Sequence, residues 1–203
     1  YDDVFPKTDA GNAFASLIQT FGPALAANAL APTTATTAST VKASAAKDAE
    51  LLAVNKAILA RLDVVVASLH VPSSDALENT RRLVQAAENR YVHMLGHLTG
   101  RLLLERDAYK LDIQEVLKAC AATGTWIELN ASPYRFDLDW RLWRQAKELG
   151  VKCVINCDAH RLDHFDFLRL GAGIARKGWL STGDVINTQS LSAIMKALGQ
   201  KRR

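Results

Sequence analysis

The amino-acid sequence predicts an α/β fold in which a parallel sheet is covered by helices. Two observations carry that expectation. Near-continuous apolar runs rich in β-branched residues alternate with segments of helical periodicity, the pattern of parallel βα units. Several of those runs end in histidine or aspartate, at the strand ends where such folds assemble their sites. About four βα units can be counted, which suits an open sheet or part of a barrel; periodicity does not separate the two.

Residues 1–30 suit one amphipathic helix, with Phe14, Leu17, Ile18, Phe21 and Leu25 at helical spacing. Residues 31–46 form an Ala/Thr/Ser tract almost without core-forming side chains, expected to be a linker or a poorly ordered segment. The expected organisation is therefore an N-terminal segment over 1–46, outside the core, and an α/β domain over 47–203. Within that domain a helix is expected over Glu50 to Leu62, then a strand over Leu62 to His70. Asp75 and Glu78 have capping-box spacing and open a helix through Leu77, Arg81, Val84 and Ala87. Tyr91 to His97 is a second strand. Asp112 and Glu115 repeat the capping box before Ile113, Val116, Leu117 and Cys120, and Gly124 stops that helix. Thr125 to Asn130 is a third strand, and Asp139 to Leu149 a helix with Trp140, Trp143 and Ala146 as packing residues. The run Val151 to His160 is a fourth strand, and Leu191, Ile194, Met195 and Leu198 lie on a terminal helix.

Composition bounds the rest. With 203 residues, 49% hydrophobic and 23% charged, the chain has the apolar mass for one sizeable core. A net charge of +4 permits contact with phosphates without marking a nucleic-acid binder. The three cysteines, Cys120, Cys153 and Cys157, are odd in number and two fall in one apolar strand, so reduced thiols and a cytoplasmic location are expected. The stretch Ala13 to Ala31 is broken by Gly22-Pro23 and lacks a basic flank, so neither a signal peptide nor a membrane span is expected there. The absence of an initiating Met suits a fragment or a processed product.

The candidate site is a constellation of strand-end residues. Parallel strands place His70, His97, Asp158 and His160 on one face of the sheet. On an extended backbone, Asp158 and His160 would project to the same side. Imidazole with carboxylate suits a divalent metal such as zinc, manganese or iron, or an acid/base pair. Glu128 and Asn130, two apart on the third strand, face one way and either support ligands from behind or make a salt bridge. Gly96 to Arg101 sets backbone amides and the Arg101 guanidinium beside His97, a combination suited to a phosphate oxygen. Arg135, Arg161, Arg176 and Lys177 are further candidate phosphate contacts.

Longer runs resemble a known family. They are Ala67-Ser68-Leu69-His70, His97 to Arg101, Ile127 to Asp137, Asn156 to His160, Gly171 to Leu180 and Asn187-Thr188. Together, and in order over roughly residues 50–198, they are similar to the polymerase-and-histidinol-phosphatase (PHP) domain found at the C-terminus of bacterial family X DNA polymerases. The resemblance implies a distorted seven-stranded β/α barrel, only part of which this chain would supply. It also implies a trinuclear centre of divalent metal, zinc or manganese above all, and 3′–5′ exonuclease or DNA-end processing in DNA repair. His70, His97, Asp158 and His160 fall on family metal-ligand positions, and Arg101 on a basic position beside one of them. Arg101 and Glu128 are taken as the candidate catalytic residues, and Arg101, Arg135 and Arg176 as contacts to substrate phosphate. The implied partners are DNA 3′ ends or another phosphoester, and a polymerase domain, with no membrane. The chain departs from the family in having no histidine before His70 and in carrying Leu98 where proline is usual. The expected function is a metal-dependent phosphoesterase. The alternatives are a catalytically degenerate remnant with a structural or docking role, and a small-molecule phosphatase.

Overall fold

A computed structural model of the chain describes the backbone of residues 38–201 and the side chains of residues 47–201. The amphipathic helix expected over 1–30 lies outside these. Two compact units divide between Leu62 and Asp63. In the first, one helix, α1 (Ala38–Arg61), runs through residues 38–46, part of the tract expected to be linker. Alanine is the strongest helix former, and its repetition there outweighs the weaker preferences of Ser and Thr. α1 leaves Leu51, Leu52 and Val54 exposed.

The second unit, from Asp63 onward, has the expected α/β class. Four strands, β1 (Val66–Ala67), β2 (Met94–Leu95), β3 (Trp126–Asn130) and β4 (Cys153–Asn156), form one sheet in the order β1-β2-β3-β4. Every neighbouring pair is parallel, with Val66 beside Met94, Met94 beside Trp126, and Ile127 beside Cys153. A parallel bridge from Cys153 to Val185 extends the pattern past β4. Parallel neighbours need crossovers, and helices supply them: α2 (Ala76–Glu88), α3 (Ile113–Thr123), α4 (Trp140–Glu148) and α5 (Phe167–Lys177), with α6 (Leu191–Lys201) last.

The helices begin where side-chain caps allow. Asp75 accepts a hydrogen bond from Leu77 N at 2.9 Å, Asp112 from Glu115 N at 3.1 Å, and Asp139 from Arg141 N at 2.9 Å. α3 ends at Gly124, as expected. α2 packs on α3, and α5 on α4, β3 and β4. β3 is buried along its whole length, as a central strand covered on both faces must be. Trp143 is fully buried, its indole N–H donating to Leu138 O at 3.2 Å. At the starts of β2 and β3, Met94 and Trp126 pack against Leu198 of α6. Cys120, Cys153 and Cys157 are buried free thiols. No described helix is long and apolar enough to cross a membrane.

The strands are shorter than the apolar runs that announce them. β1 takes two residues of the run Leu62 to His70, and β2 two of Tyr91 to His97. His70, His97, Asp158 and His160 therefore lie in the loops after β1, β2 and β4, all beyond the strands' C-terminal ends.

Candidate active site

β2 runs out at Leu95, and Gly96 permits a close approach there. A Cβ on Gly96 would stand 2.6 Å from Ser68 Oγ, so the backbone lies directly on the loop after β1. The next residue, His97, sits at φ 28, a conformation uncommon outside glycine. Its amide donates to Glu128 Oε2 at 2.6 Å. The imidazole is buried, meets the His70 ring edge-on with centroids 5.0 Å apart, and its Nδ1 has no hydrogen-bond partner among the described residues. Burial, then Arg135 and His70, push this imidazole down to about 4, against partial opposition from Asp158, so it is neutral at pH 7.

Glu128 is the hub beneath His97. It is only 4% exposed, and besides the His97 amide it accepts from Asn156 Nδ2 at 3.1 Å and Asn130 Nδ2 at 3.3 Å. Burial raises its pKa, and these three donors oppose the shift. The shared facing of Glu128 and Asn130 expected from strand alternation holds. Asn130 Nδ2 also reaches Asp158 Oδ2 at 3.3 Å, and Arg135 Nε lies 3.5 Å from the same oxygen.

Alternation does not extend to Asp158 and His160. β4 ends at Asn156 and Asp158 adopts φ 50, so the backbone turns before the Asp-x-His pair. His160 is exposed; its Nδ1 lies 2.8 Å from Asp158 O and its amide donates to His164 Nδ1 at 3.2 Å. Asp158 thus faces Arg135 and Asn130, while His160 pairs with the Asp158 main chain and His164.

A cleft of about 240 Å³ opens beside the two histidines. His70, His97, Gly100, Arg106, Tyr109 and Arg135 are among its walls. Arg106 and Tyr109 carry no spacing signal that would single them out. A short antiparallel bridge between Leu102 and Arg106 brings the arginine back, and its Nε and Nη2 donate to Gly100 O at 3.1 and 2.7 Å. Arg101 turns elsewhere. Its guanidinium pairs with Asp139 at 2.5 Å and donates to Arg135 O at 2.9 Å and to Phe136 O, which fixes the turn that carries Arg135. Arg176 lies in the last turn of α5, exposed and outside the walls of the cleft.

Asp137 is a further residue of this region that the sequence did not single out. It is fully buried and accepts from the amides of Thr99 and Gly100, each at 2.9 Å, so it holds the loop after His97. Burial raises its pKa against those bonds. The signal available was its place at the end of the run Ile127 to Asp137 that carries the family resemblance. Three of the five described non-glycine residues with positive φ, His97, Phe136 and Asp158, lie in the loops of this site, and such strain often gathers at functional sites.

Part of the donor set suits a divalent metal. A neutral His97 with an unpartnered Nδ1 is suited to ligation, with His70 beside it. Among the described residues, however, no three His, Cys, Asp or Glu side chains gather closely enough to hold an ion. The Asp158 carboxylate is already neutralised by Arg135. These residues alone do not make a metal centre.

The arrangement has relatives. The chain is 40% identical over 139 residues to the DNA polymerase/3′-5′ exonuclease PolX of Bacillus subtilis (strain 168), covering 68% of this chain and 24% of that protein. It is 30% identical over 156 residues to a probable phosphatase of Thermoanaerobacter sp. (strain X514), covering 72% of this chain and 61% of that protein. A probable phosphatase of Caldanaerobacter subterraneus subsp. tengcongensis is 32% identical over 158 residues, covering 72% of the chain and 59% of that protein. No family model matches. The chain therefore spans about a quarter of the polymerase and about three fifths of these phosphatases.

Proposed function

We propose that the α/β unit is a PHP-type phosphoesterase domain, its four strands an arc of the distorted barrel, acting on phosphoesters that include DNA 3′ ends. The observation that carries this reading is the cleft itself. Two histidines and two arginines from three separate loops converge at the C-terminal edge of a parallel sheet, in a chain similar to an exonuclease-bearing polymerase and to probable phosphatases. In this reading Arg106 and Arg135 receive the phosphoryl oxygens, with Arg135 exchanging Asp158 for substrate. His97, held neutral, offers a lone pair to a proton or a cation. Glu128 and Arg101 act through position: one fixes the His97 backbone, the other the turn that aims Arg135. Divalent metal, zinc or manganese, belongs to the proposal with ligands His70, His97, Asp158 and His160, and the remaining donors would come from outside the described residues.

A second reading, a degenerate PHP remnant that docks rather than cleaves, is favoured by the pairing of Arg135 with Asp158 and by the lack of a three-ligand cluster among the described residues. Elemental analysis of the purified chain, beside hydrolysis of a single-stranded oligonucleotide and of a small phosphomonoester, separates the two. The phosphoesterase reading expects at least one metal per chain. It also expects hydrolysis that falls by roughly a hundredfold or more in His70→Ala and Asp158→Ala, the scale of lost ligands and their supports. Less than one metal per chain with no turnover establishes the second reading. Hydrolysis of the monoester alone assigns a small-molecule phosphatase.

A further inference from the structure

A larger pocket, about 500 Å³, is lined by Arg144, Lys147, Glu148 and Trp179. The first three belong to the last two turns of α4, and Trp179 follows the end of α5. Crossover helices finish at the edge where the next strand begins, so this pocket lies at the opposite edge of the sheet from the cleft.

The Trp179 backbone is firmly held. Its amide donates to Arg176 O at 3.0 Å and its carbonyl accepts from Lys147 Nζ at 3.0 Å. A Cβ on the preceding Gly178 would stand 2.8 Å from Trp143 Cβ, so the loop rests directly on α4. Trp179 itself sits at φ 65, a genuine outlier for a bulky side chain, and yet its residue is 70% exposed. Strain and an exposed indole both cost stability, and core packing offsets neither here.

Two cations and one carboxylate share its pocket. Lys147 is tied to Asp184 at 2.9 Å, whereas Arg144 pairs with Glu148, and both of those side chains are largely exposed. Such a pair is weak and exchanges readily for another anion. Lys177, in the last turn of α5, lies 4.6 Å from the centre of the Trp140 ring. A fixed, exposed aromatic beside accessible cations is the combination that holds single strands: a base stacks on the ring and its phosphate meets the cation. We propose that this pocket binds single-stranded nucleic acid, with a nucleobase on Trp179 and the adjoining phosphate on Arg144. The site is independent of chemistry in the cleft.

The test is fluorescence anisotropy of a labelled oligothymidylate of roughly twelve nucleotides, within the span such sites accept, titrated with the whole chain. Binding is expected to weaken with added salt. Trp179→Ala is expected to weaken it by about tenfold or more, Trp179→Phe by much less, and Arg144→Ala by a few-fold with a shallower salt dependence. His70→Ala is expected to leave it unchanged. Thermal midpoints of the variants confirm that each is folded, and Arg144→Ala tests the site should Trp179→Ala fail to fold. No binding by the wild type overturns the proposal. So does binding that survives Trp179→Ala but falls with His70→Ala, which would place the strand in the cleft, and so does equal competition by polyglutamate, which would reduce the contact to charge alone.

Discussion

Glu128 accepts three hydrogen bonds from three segments of chain while only 4% of it meets solvent. A buried carboxylate survives only when donors replace its water, so the residue and its donors stand or fall together. Glu128→Ala should therefore cost more than the lost side chain, because the His97 amide and the Asn156 side-chain amide are left unanswered and Asn130 keeps Asp158 alone. A loss of about 2–4 kcal/mol is expected, read from the urea midpoint. Glu128→Gln keeps one acceptor and should lose roughly half as much. Equal stability of the wild type and Glu128→Ala would show that water reaches these donors and that Glu128 is not the hub. The same variants separate position from chemistry. If Glu128 only holds His97, Glu128→Gln should retain metal-free phosphate binding even where it slows turnover.

The elements show which signals act locally. The last turn of α4 is joined to the turn Thr182–Asp184 through one carboxylate: Asp184 Oδ2 accepts from Ser181 N at 2.8 Å and from Ser181 Oγ at 2.7 Å, and lies 2.9 Å from Lys147 Nζ. Burial acts to raise its pKa, but Lys147 and Ser181 together hold it at about 2, below the ordinary 3.8. A carboxyl whose folded pKa is depressed contributes stability that is complete above the unfolded value and is lost as pH falls through the folded one. Thermal midpoints should therefore drop between about pH 4 and pH 2, and Asp184→Asn should flatten that drop while lowering the midpoint at pH 7. An unchanged acid slope in Asp184→Asn would remove this residue as its source. The helices were legible from sequence because their caps are local: Asp75, Asp112 and Asp139 each bond an amide two or three residues on. The sheet's parallel class was legible from its apolar runs. Strand length was not, since Val66 and Ala67 pair with Met94 and Leu95 through contacts that no local window contains. For the site, placement at strand ends foretold the meeting of His70 with His97. It missed Arg106, which only a hairpin returns to the cleft, and the turn at Asp158 that parts its side chain from His160.

At the scale of the molecule, all four strands, the cleft and the Trp179 pocket fall after the boundary between Leu62 and Asp63. A sheet in sequential order closes its own hydrogen bonds within one stretch of chain, so that stretch should resist proteolysis as a unit. α1, by contrast, presents Lys47, Lys56 and Arg61 on exposed positions and leaves Leu51, Leu52 and Val54 in solvent. Several basic residues of the second unit are engaged: Arg101 on Asp139, Arg106 on Gly100 O, Lys152 on Gly183 O and Lys201 on Ala87 O. Limited trypsin digestion should therefore cut first in α1 and leave a lasting fragment that begins at Leu62, identified by intact mass. Trp126, Trp140, Trp143 and Trp179, all the tryptophans of the chain, lie in that fragment. Their emission should thus stay constant while the mass falls. A first cut between Asp63 and Lys201, or an emission shift that tracks the cutting of α1, would show that the α/β unit depends on the helix before it.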